Sequence, residues 1–245
     1  LFRSRVALSD YAVLFRQVWG AASLDSKSDV SGTYERIGRS IAAFERSSEV
    51  SSFSSKYDYF LKGKVSLTPQ EARGLSLFEG KAMCSGCHVS QPGPKGEAPL
   101  FTDFTYDNIG VPKNPLNPFY SAPTSVNRDG KNWVDQGLAG FLSGTGWVPK
   151  AVWETERGKQ KVPTLRNVDK RPYPGFVKAY GHNGYFKSLE QIVHFYNTRD
   201  VATWPAPEVP VNVNVEELGN LGLSAQEEAD IVAFLKTLSD GFKLP

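Results

Sequence analysis

Two cysteines and a histidine stand within five consecutive residues, Cys84-Ser85-Gly86-Cys87-His88, and the chain contains no other cysteine. C-x-x-C-H is the spacing at which two thiols attach a c-type haem. The thiols add across the vinyl groups of the porphyrin, which holds the following histidine beneath the iron as an axial ligand. We therefore expect one covalent haem c, bound by Cys84, Cys87 and His88.

Two other kinds of site fit the same residues less well. A thioredoxin-like C-x-x-C ends a strand and opens a helix in a βαβ unit, and no such pattern surrounds this motif. A structural zinc site needs two further ligands at short spacing. The remaining histidines, His182 and His194, stand far along the chain.

The composition narrows the class of protein and its location. The 245 residues are 40% hydrophobic and 12% aromatic, which suffices for a substantial core. The 28 basic residues are scattered and the net charge is +2, so we expect no nucleic-acid partner. No run of 18 apolar residues occurs, and we expect no membrane span. Haem attachment in bacteria takes place outside the cytoplasm, which predicts a periplasmic or otherwise extracytoplasmic location. Because the first residue is leucine and no signal peptide follows, we expect a mature, processed or partial chain.

Apolar periodicity and capping patterns predict a mostly α-helical protein. Thr68-Pro69-Gln70-Glu71 and Ser224-Ala225-Gln226-Glu227 both read as capping boxes that open helices. The first of these helices leads directly into the haem motif, as in cytochromes c, where the first and last helices cross. Further helices are predicted over residues 1–20, 33–44, 56–61 and 188–197. Residues 89–165 read as mostly loop.

These patterns together predict the fold class. It is mostly α, a cytochrome c-like haem domain with long loops and an amino-terminal helical annex. We expect a helical connecting segment over residues 1–64 and the haem domain over residues 65–245.

A set of further segments follows in a fixed order along the chain. They are Ile41–Arg46, Leu67–Glu71, Gly74–Phe78, Pro99–Asp103, Asn108–Pro112, Val162–Asn167, His182–Gly184, Phe195–Asn197 and Ile231–Leu235. With C-x-x-C-H among them, the chain resembles the carboxy-terminal haem half of the bacterial di-haem cytochrome c peroxidase and MauG family. The resemblance covers nearly the whole sequence.

One departure from the family bears on function. Family members carry two C-x-x-C-H motifs, and this chain has one. The resemblance implies electron transfer within a peroxide-linked system, with hydrogen peroxide reacting at a second haem domain or subunit. The alternative is a monohaem electron-carrier subunit of a larger redox assembly, which has a redox partner protein but no catalysis of its own.

The ligand on the other side of the iron decides between electron transfer and chemistry at an open site. The only methionine, Met83, is adjacent to Cys84 and cannot reach the opposite face, which excludes a His/Met cytochrome. The candidates that remain are His182, His194 and Tyr196. Helical spacing places Tyr196 on an apolar face and His194 on the polar side, so we expect His194 at the surface. The apolar face consists of Leu189, Ile192, Val193 and Tyr196.

The resemblance assigns roles to several of these residues. Tyr196 matches the position of the ligating tyrosine in MauG, and its alternative role is a core tyrosine bonded to a propionate or to backbone. His182 matches a histidine near the haem, which would tune the axial ligand by a hydrogen bond; ligation by His182 itself stays open. Arg166 would pair with a haem propionate or lie at the surface.

Calcium is a further cofactor that the family implies. In the peroxidases, carbonyl groups near this region help to bind an interdomain calcium ion. The segment between Asn167 and His182, which lies in this region, is longer here than in the family.

Overall fold

The computed structural model describes residues 2–25 and 27–245, and the chain divides into two compact units, Leu1–Phe53 and Ser54–Pro245. The predicted boundary after residue 64 stays a prediction. The segment that begins at Ser54 packs with the second unit, where the backbone N–H of Tyr57 donates to the carbonyl of Thr237.

The first unit contains three helices, α1 (Phe2–Ala7), α2 (Ala12–Trp19) and α3 (Val30–Glu45). The prediction of one continuous helix over residues 1–20 was wrong, and residue 1 lies outside the described residues. The helix is interrupted because the Ser9 hydroxyl donates to the Val6 carbonyl at 2.7 Å and the backbone turns there.

The buried face of the first unit also differs from the one that periodicity predicted. Its core consists of Val6, Ala12, Phe15, Leu24 and Ile37. Apolar spacing over residues 1–20 and 33–44 predicts two inner faces, one of Val6, Tyr11, Leu14, Phe15 and Val18 and one of Ile37, Ile41 and Phe44. Val6, Phe15 and Ile37 are buried as predicted, whereas the other five side chains are exposed.

The second unit is built on helices, which confirms the mostly α fold. They are α4 (Lys56–Leu61), α5 (Pro69–Glu79), α6 (Leu138–Ser143), α7 (Lys150–Trp153), α8 (Leu189–Thr198) and α9 (Ala225–Lys236). Residues 89–165 are mainly irregular, with α6, α7 and short 3₁₀ turns among the loops. Strand β1 (Tyr106–Asp107) pairs antiparallel with β2 (Gln160–Lys161), which joins two distant parts of this long segment.

Both predicted capping boxes are present, and they fix where α5 and α9 begin. Thr68 accepts from the N–H of Glu71, and the Glu71 carboxylate accepts from the N–H of Thr68; Ser224 and Glu227 repeat this exchange at α9. Each box satisfies two backbone donors that a helix start leaves without partners.

Helices α5 and α9 cross in close contact at Gly74. A Cβ at this position would lie 1.9 Å from the carbonyl oxygen of Asp230, so only glycine permits the approach. The crossing brings Phe78 and Phe234 together with ring centroids 5.2 Å apart, in the main core. The site described below lies beside this core.

None of the helices in residues 2–25 and 27–245 has the length and apolar character needed to span a bilayer.

Candidate haem-binding site

A cavity of about 650 Å³ lies in the second unit, where α5, α8, α9 and the loop after β2 meet. This volume falls in the range of cofactor and small-molecule sites. Its wall is largely apolar and includes Phe78, Ala82, Ile109, Val111, Leu165, Leu189, Ile192, Val193, Leu221, Ile231 and Leu235. The predicted site residues of the C-x-x-C-H motif, together with Arg166, His182 and Tyr196, line the same cavity.

The two cysteines enter the cavity wall from a 3₁₀ turn, Cys84–Gly86, that follows α5. The turn is entered through Met83 in the left-handed conformation and is closed by the N–H of His88, which donates to the Cys84 carbonyl at 2.9 Å. Burial raises the pKa of the Cys84 thiol to about 12 and that of the Cys87 thiol to about 11. The acidic side chains of Glu217, Asp103 and Asp107 add to the effect at Cys87.

These pKa values distinguish two kinds of cysteine chemistry. Reactive and metal-binding cysteines are thiolates, and their pKa is lowered by nearby positive charge or a helix N-terminus. Cys84 and Cys87 instead lie in an apolar wall that keeps both thiols neutral. Such a site suits thiols that end as uncharged thioethers better than it suits a redox or zinc site.

His88 presents one ring nitrogen to the cavity in a defined tautomer. Its Nδ1 lies 2.8 Å from the carbonyl oxygen of Phe101, and a carbonyl can only accept, so Nδ1 carries the proton. Nε2 is then the unprotonated nitrogen that can bind a metal. Burial holds the pKa of His88 below its usual value, which also favours the neutral imidazole.

Phe101 holds its carbonyl in place through an unusual backbone conformation. Its φ is +53°, which is uncommon for a bulky residue and costs on the order of 1 kcal/mol or more. The ring is completely buried and contacts Tyr57, Phe78 and Phe234. Burial of the ring thus stabilises the backbone that orients His88. Sequence reasoning gave Phe101 no role, because neither the conformation nor the contact has a pattern in the chain.

Tyr196 reaches the cavity from α8, together with the other three residues of the predicted apolar face. Within the described residues its hydroxyl makes no hydrogen bond. Burial raises the pKa of Tyr196, and the nearby Cys84, Cys87 and Asp107 act in the same direction. The hydroxyl is therefore protonated in the chain by itself and is available to a group that occupies the cavity.

His182 lines the cavity, but one of its nitrogens is already occupied. Nε2 lies 2.8 Å from Oε2 of Glu208, whose side chain is only 1% exposed. Burial alone would raise the pKa of Glu208, but hydrogen bonds from His182 and Asn183 hold it below the usual value. Glu208 was not predicted as a site residue, since it stands in a proline-rich loop without a motif. The pair fits a supporting role for His182 better than iron ligation through Nε2.

Arg166 lines the cavity and is at the same time held by two carboxylates. Its Nη2 lies 2.6 Å from Asp58 and 3.7 Å from Asp240, and Nη1 donates to the carbonyl of Pro99. The side chain is only 7% exposed, so a surface position, one of the two predicted alternatives, does not describe it. A contact between Arg166 and a haem propionate stays a prediction.

His194 lies away from the cavity, on the outer side of α8. Its side chain is 51% exposed and its Nδ1 lies 3.0 Å from the carboxylate of Glu228. This placement agrees with the helical pattern that put His194 on the polar side.

The donor set and the shape of the site fit a covalent haem. Two neutral thiols, an oriented imidazole and a phenol surround one apolar cavity, and a porphyrin needs apolar walls on both faces with an axial donor above its centre. Among residues 2–25 and 27–245, no group of three or more His, Cys, Asp or Glu side chains is arranged to hold another metal ion. Calcium bound by carbonyl groups stays a prediction.

No family model matches the chain, but individual proteins do. It is 31% identical over 243 residues to the methylamine utilization protein MauG of Paracoccus denitrificans, which covers 94% of this chain and 57% of that protein. It is 28% identical to a cytochrome-c peroxidase of Denitromonas iodatirespirans, over 95% of this chain and 55% of the peroxidase. The chain therefore spans somewhat more than half the length of the curated relatives that it matches.

Comparison with solved structures also identifies a di-haem peroxidase as a similar protein. The di-haem peroxidase BthA from Burkholderia thailandensis is 29% identical and superimposes with a TM-score of 0.73, over 97% of this chain and 58% of that one. Sequence relatives and structural neighbours thus agree with the haem-attachment motif in the cavity wall: the chain belongs to the family of MauG and the bacterial di-haem cytochrome c peroxidases.

Proposed function

We propose that this chain holds the haem that stores or relays oxidising equivalents in a di-haem, peroxide-linked oxidoreductase, while hydrogen peroxide reacts at a second haem. The comparisons and the sequence support this separation of roles between two haems. The relatives are peroxidases and MauG proteins nearly twice as long as this chain, and one structural neighbour is a di-haem enzyme. The 245 residues contain a single C-x-x-C-H.

The observation that carries the proposal is the pairing of His88 with Tyr196 in one cavity. The Nε2 of His88 is unprotonated and the Tyr196 hydroxyl has no partner among the described residues, so both would be available to the iron of a haem held in this cavity. Haem bound here would supply an iron centre that changes oxidation state. A tyrosine oxygen ligand is anionic once bound and favours the more oxidised forms of iron.

The residues of the chain have separate tasks in this scheme. Cys84 and Cys87 fix the porphyrin, and Phe101 keeps the His88 ring in one orientation. The apolar wall from α5, α8 and α9 excludes water, which protects a stored oxidising equivalent from side reactions. Glu208 keeps His182 in place at the edge of the cavity.

A second candidate is a monohaem electron carrier inside a larger redox assembly. The single attachment motif favours it, because the cavity has walls, thiols and axial donors from this chain alone. On either proposal the protein is periplasmic or otherwise extracytoplasmic and acts with a redox partner protein. Cell fractionation checks the location, since a protein that carries haem but remains in the cytoplasm would contradict it.

Haem content and peroxide turnover separate the two candidates. The protein is purified from its own cells in its native assembly, and the haem content per particle is measured as the pyridine haemochrome. We expect two haems per particle and peroxide-dependent oxidation of a reduced cytochrome donor. One haem per particle with no consumption of peroxide would reject the oxidoreductase and favour the carrier. The recombinant chain, loaded with its single haem, is the control and should accept electrons without turnover.

A further inference from the structure

Three cationic side chains line the haem cavity, and they differ in what already balances their charge. They are Lys161, Arg166 and Lys178. A haem brings two propionate carboxylates, and a buried carboxylate is stabilised mainly by a cation or several hydrogen-bond donors. The charge balance of the three side chains therefore shows where a propionate fits.

Arg166 already has an excess of negative charge around it. Asp58 at 2.6 Å and Asp240 at 3.7 Å both face its guanidinium, and Asp58 is almost completely buried. A propionate at this place would be a third carboxylate next to one cation. Like charges at short range in a buried site repel strongly, so Arg166 is a poor propionate partner.

Lys161 is exposed and has other contacts. Its ammonium group lies 4.8 Å from the centre of the Phe104 ring and donates to the carbonyl of Val162 at 3.1 Å. An exposed ammonium is solvated and gives a propionate little net stabilisation.

Lys178 is half-buried, and neutral groups alone hold its ammonium. Its Nζ donates to the carbonyls of Asn167 at 3.1 Å and Lys170 at 3.0 Å. No carboxylate within the described residues forms an ion pair with it. An ammonium group has three N–H donors, so one donor remains after the two carbonyls.

The charges around Lys178 leave it as a net cation at the cavity wall. Asp169, whose negative charge acts on Lys178, is itself paired with Arg171 at 3.2 Å. Burial lowers the pKa of Lys178, and Arg171 lowers it further while Asp169 acts in the opposite direction. A partly buried ammonium without a counter-ion is unfavourable, and an anion in the cavity would relieve it.

The segment that holds Lys178 is itself firmly anchored. Asn167 has a positive φ of +59°, and its side chain exchanges hydrogen bonds with the backbone N–H and the carboxylate of Asp240. The carbonyl of Asn167 therefore points in a fixed direction and holds the ammonium group of Lys178 with it. The lysine is thus prepositioned, which limits the entropy lost when it binds an anion.

We propose that Lys178, and not Arg166, binds a haem propionate in this protein. The proposal rests on haem c in this cavity and not on any reaction with peroxide, so a failure of the peroxidase proposal leaves it intact. A cation beside a propionate offsets the negative charge that would otherwise favour the ferric iron. Removal of this cation should therefore lower the reduction potential of the haem.

The test is a spectroelectrochemical titration of the haem-loaded chain and three variants. We expect Lys178→Gln to lower the potential and Lys178→Arg to restore most of it. The matched control is Lys170→Gln, which removes the same charge from an exposed lysine in the same segment and should change the potential little. A shift in Lys178→Gln no larger than in the control would reject the proposal.

A second measurement identifies the group that Lys178 touches. Haem labelled with ¹³C at the propionate carboxylates gives a marked band in the reduced-minus-oxidised infrared difference spectrum. We expect the frequency of this band to shift in Lys178→Arg and to remain unchanged in Arg166→Lys. Lys178→Arg is used because it keeps the positive charge and so preserves folding. The reverse pattern would show that Arg166 holds the propionate and would overturn the proposal, even where Lys178→Gln fails to take up haem.

Discussion

The carbonyl oxygen of Phe101 lies 2.8 Å from Nδ1 of His88, and Phe101 holds it there with a left-handed backbone and a fully buried ring. We expect Phe101→Ala to lower the free energy of unfolding by about 3–5 kcal/mol, because the ring leaves a cavity in the aromatic core. Urea denaturation followed by circular dichroism measures it.

Phe104 provides the control for this substitution. It has a φ of +64° as well, but the residue is 57% exposed. Phe104→Ala should change the free energy of unfolding by no more than about 0.5 kcal/mol. Equal losses in both variants would show that the backbone conformation, and not the buried ring, dominates.

Tyr196 should be detectable in the spectrum of the ferric haem. Tyr196→Phe removes the oxygen but keeps the ring, so we expect the wall of the cavity to persist while the optical and electron paramagnetic resonance spectra change. Tyr185→Phe is the control, because Tyr185 packs on the core but does not line the cavity. An unchanged spectrum in Tyr196→Phe would remove Tyr196 from the iron.

The close crossing of α5 and α9 at Gly74 leads to a prediction that does not depend on bound haem. Gly74→Ala would place a Cβ 1.9 Å from the backbone oxygen of Asp230, so the helices must separate. Overpacking of this kind costs about 1–3 kcal/mol or more, and the thermal midpoint should fall. Gly38→Ala in α3 meets no atom within 4 Å and should instead stabilise the chain by up to about 1 kcal/mol. A stable Gly74→Ala variant would contradict the close crossing.

Glu208 should contribute stability that depends on pH. Its pKa in the folded chain is lower than the ordinary value of 4.5, because His182 and Asn183 donate to it. The contribution is therefore complete above pH 4.5 and is lost as the pH falls from there through the lower, folded-state pKa.

Chemical denaturation of Glu208→Gln at several pH values tests this. The variant should be less stable than the wild type at pH 7, and the difference should shrink on acidification through this window. Glu216→Gln removes the same charge from an exposed side chain and should leave the free energy of unfolding at pH 7 within about 0.5 kcal/mol of the wild type. A pH-independent difference in Glu208→Gln would contradict a stabilising role for the ionised Glu208 carboxylate.

The sequence predicts those parts of the molecule that depend on local patterns. The capping boxes at Thr68 and Ser224 are specified by a few neighbouring residues, and both helices begin where the pattern places them. The face of α8 that carries Tyr196 follows from helical spacing alone. The break between α1 and α2 was missed, because the turn between these helices and its local hydrogen bonds have no counterpart in the apolar periodicity.

Contacts between distant segments could not be predicted from the chain. Glu208 meets His182, and Asp58 meets Arg166, only after long loops have folded back. The role of Lys178 depends on which carboxylates lie near Arg166. The spacing of residues along the sequence does not predict those contacts. Single residues of the site were therefore predictable, whereas their partners and their charge balance were not.

The raised pKa of the Cys84 thiol has a consequence for the order of assembly. At a pKa of about 12, roughly one molecule in 100,000 carries the thiolate at pH 7, against about one in a hundred for a thiol with the ordinary value of 9.0. Once the wall of the cavity has closed, the sulfur is therefore a poor nucleophile. Maturation should therefore precede final folding: the porphyrin is joined to an open chain, and the polypeptide then closes around its own prosthetic group.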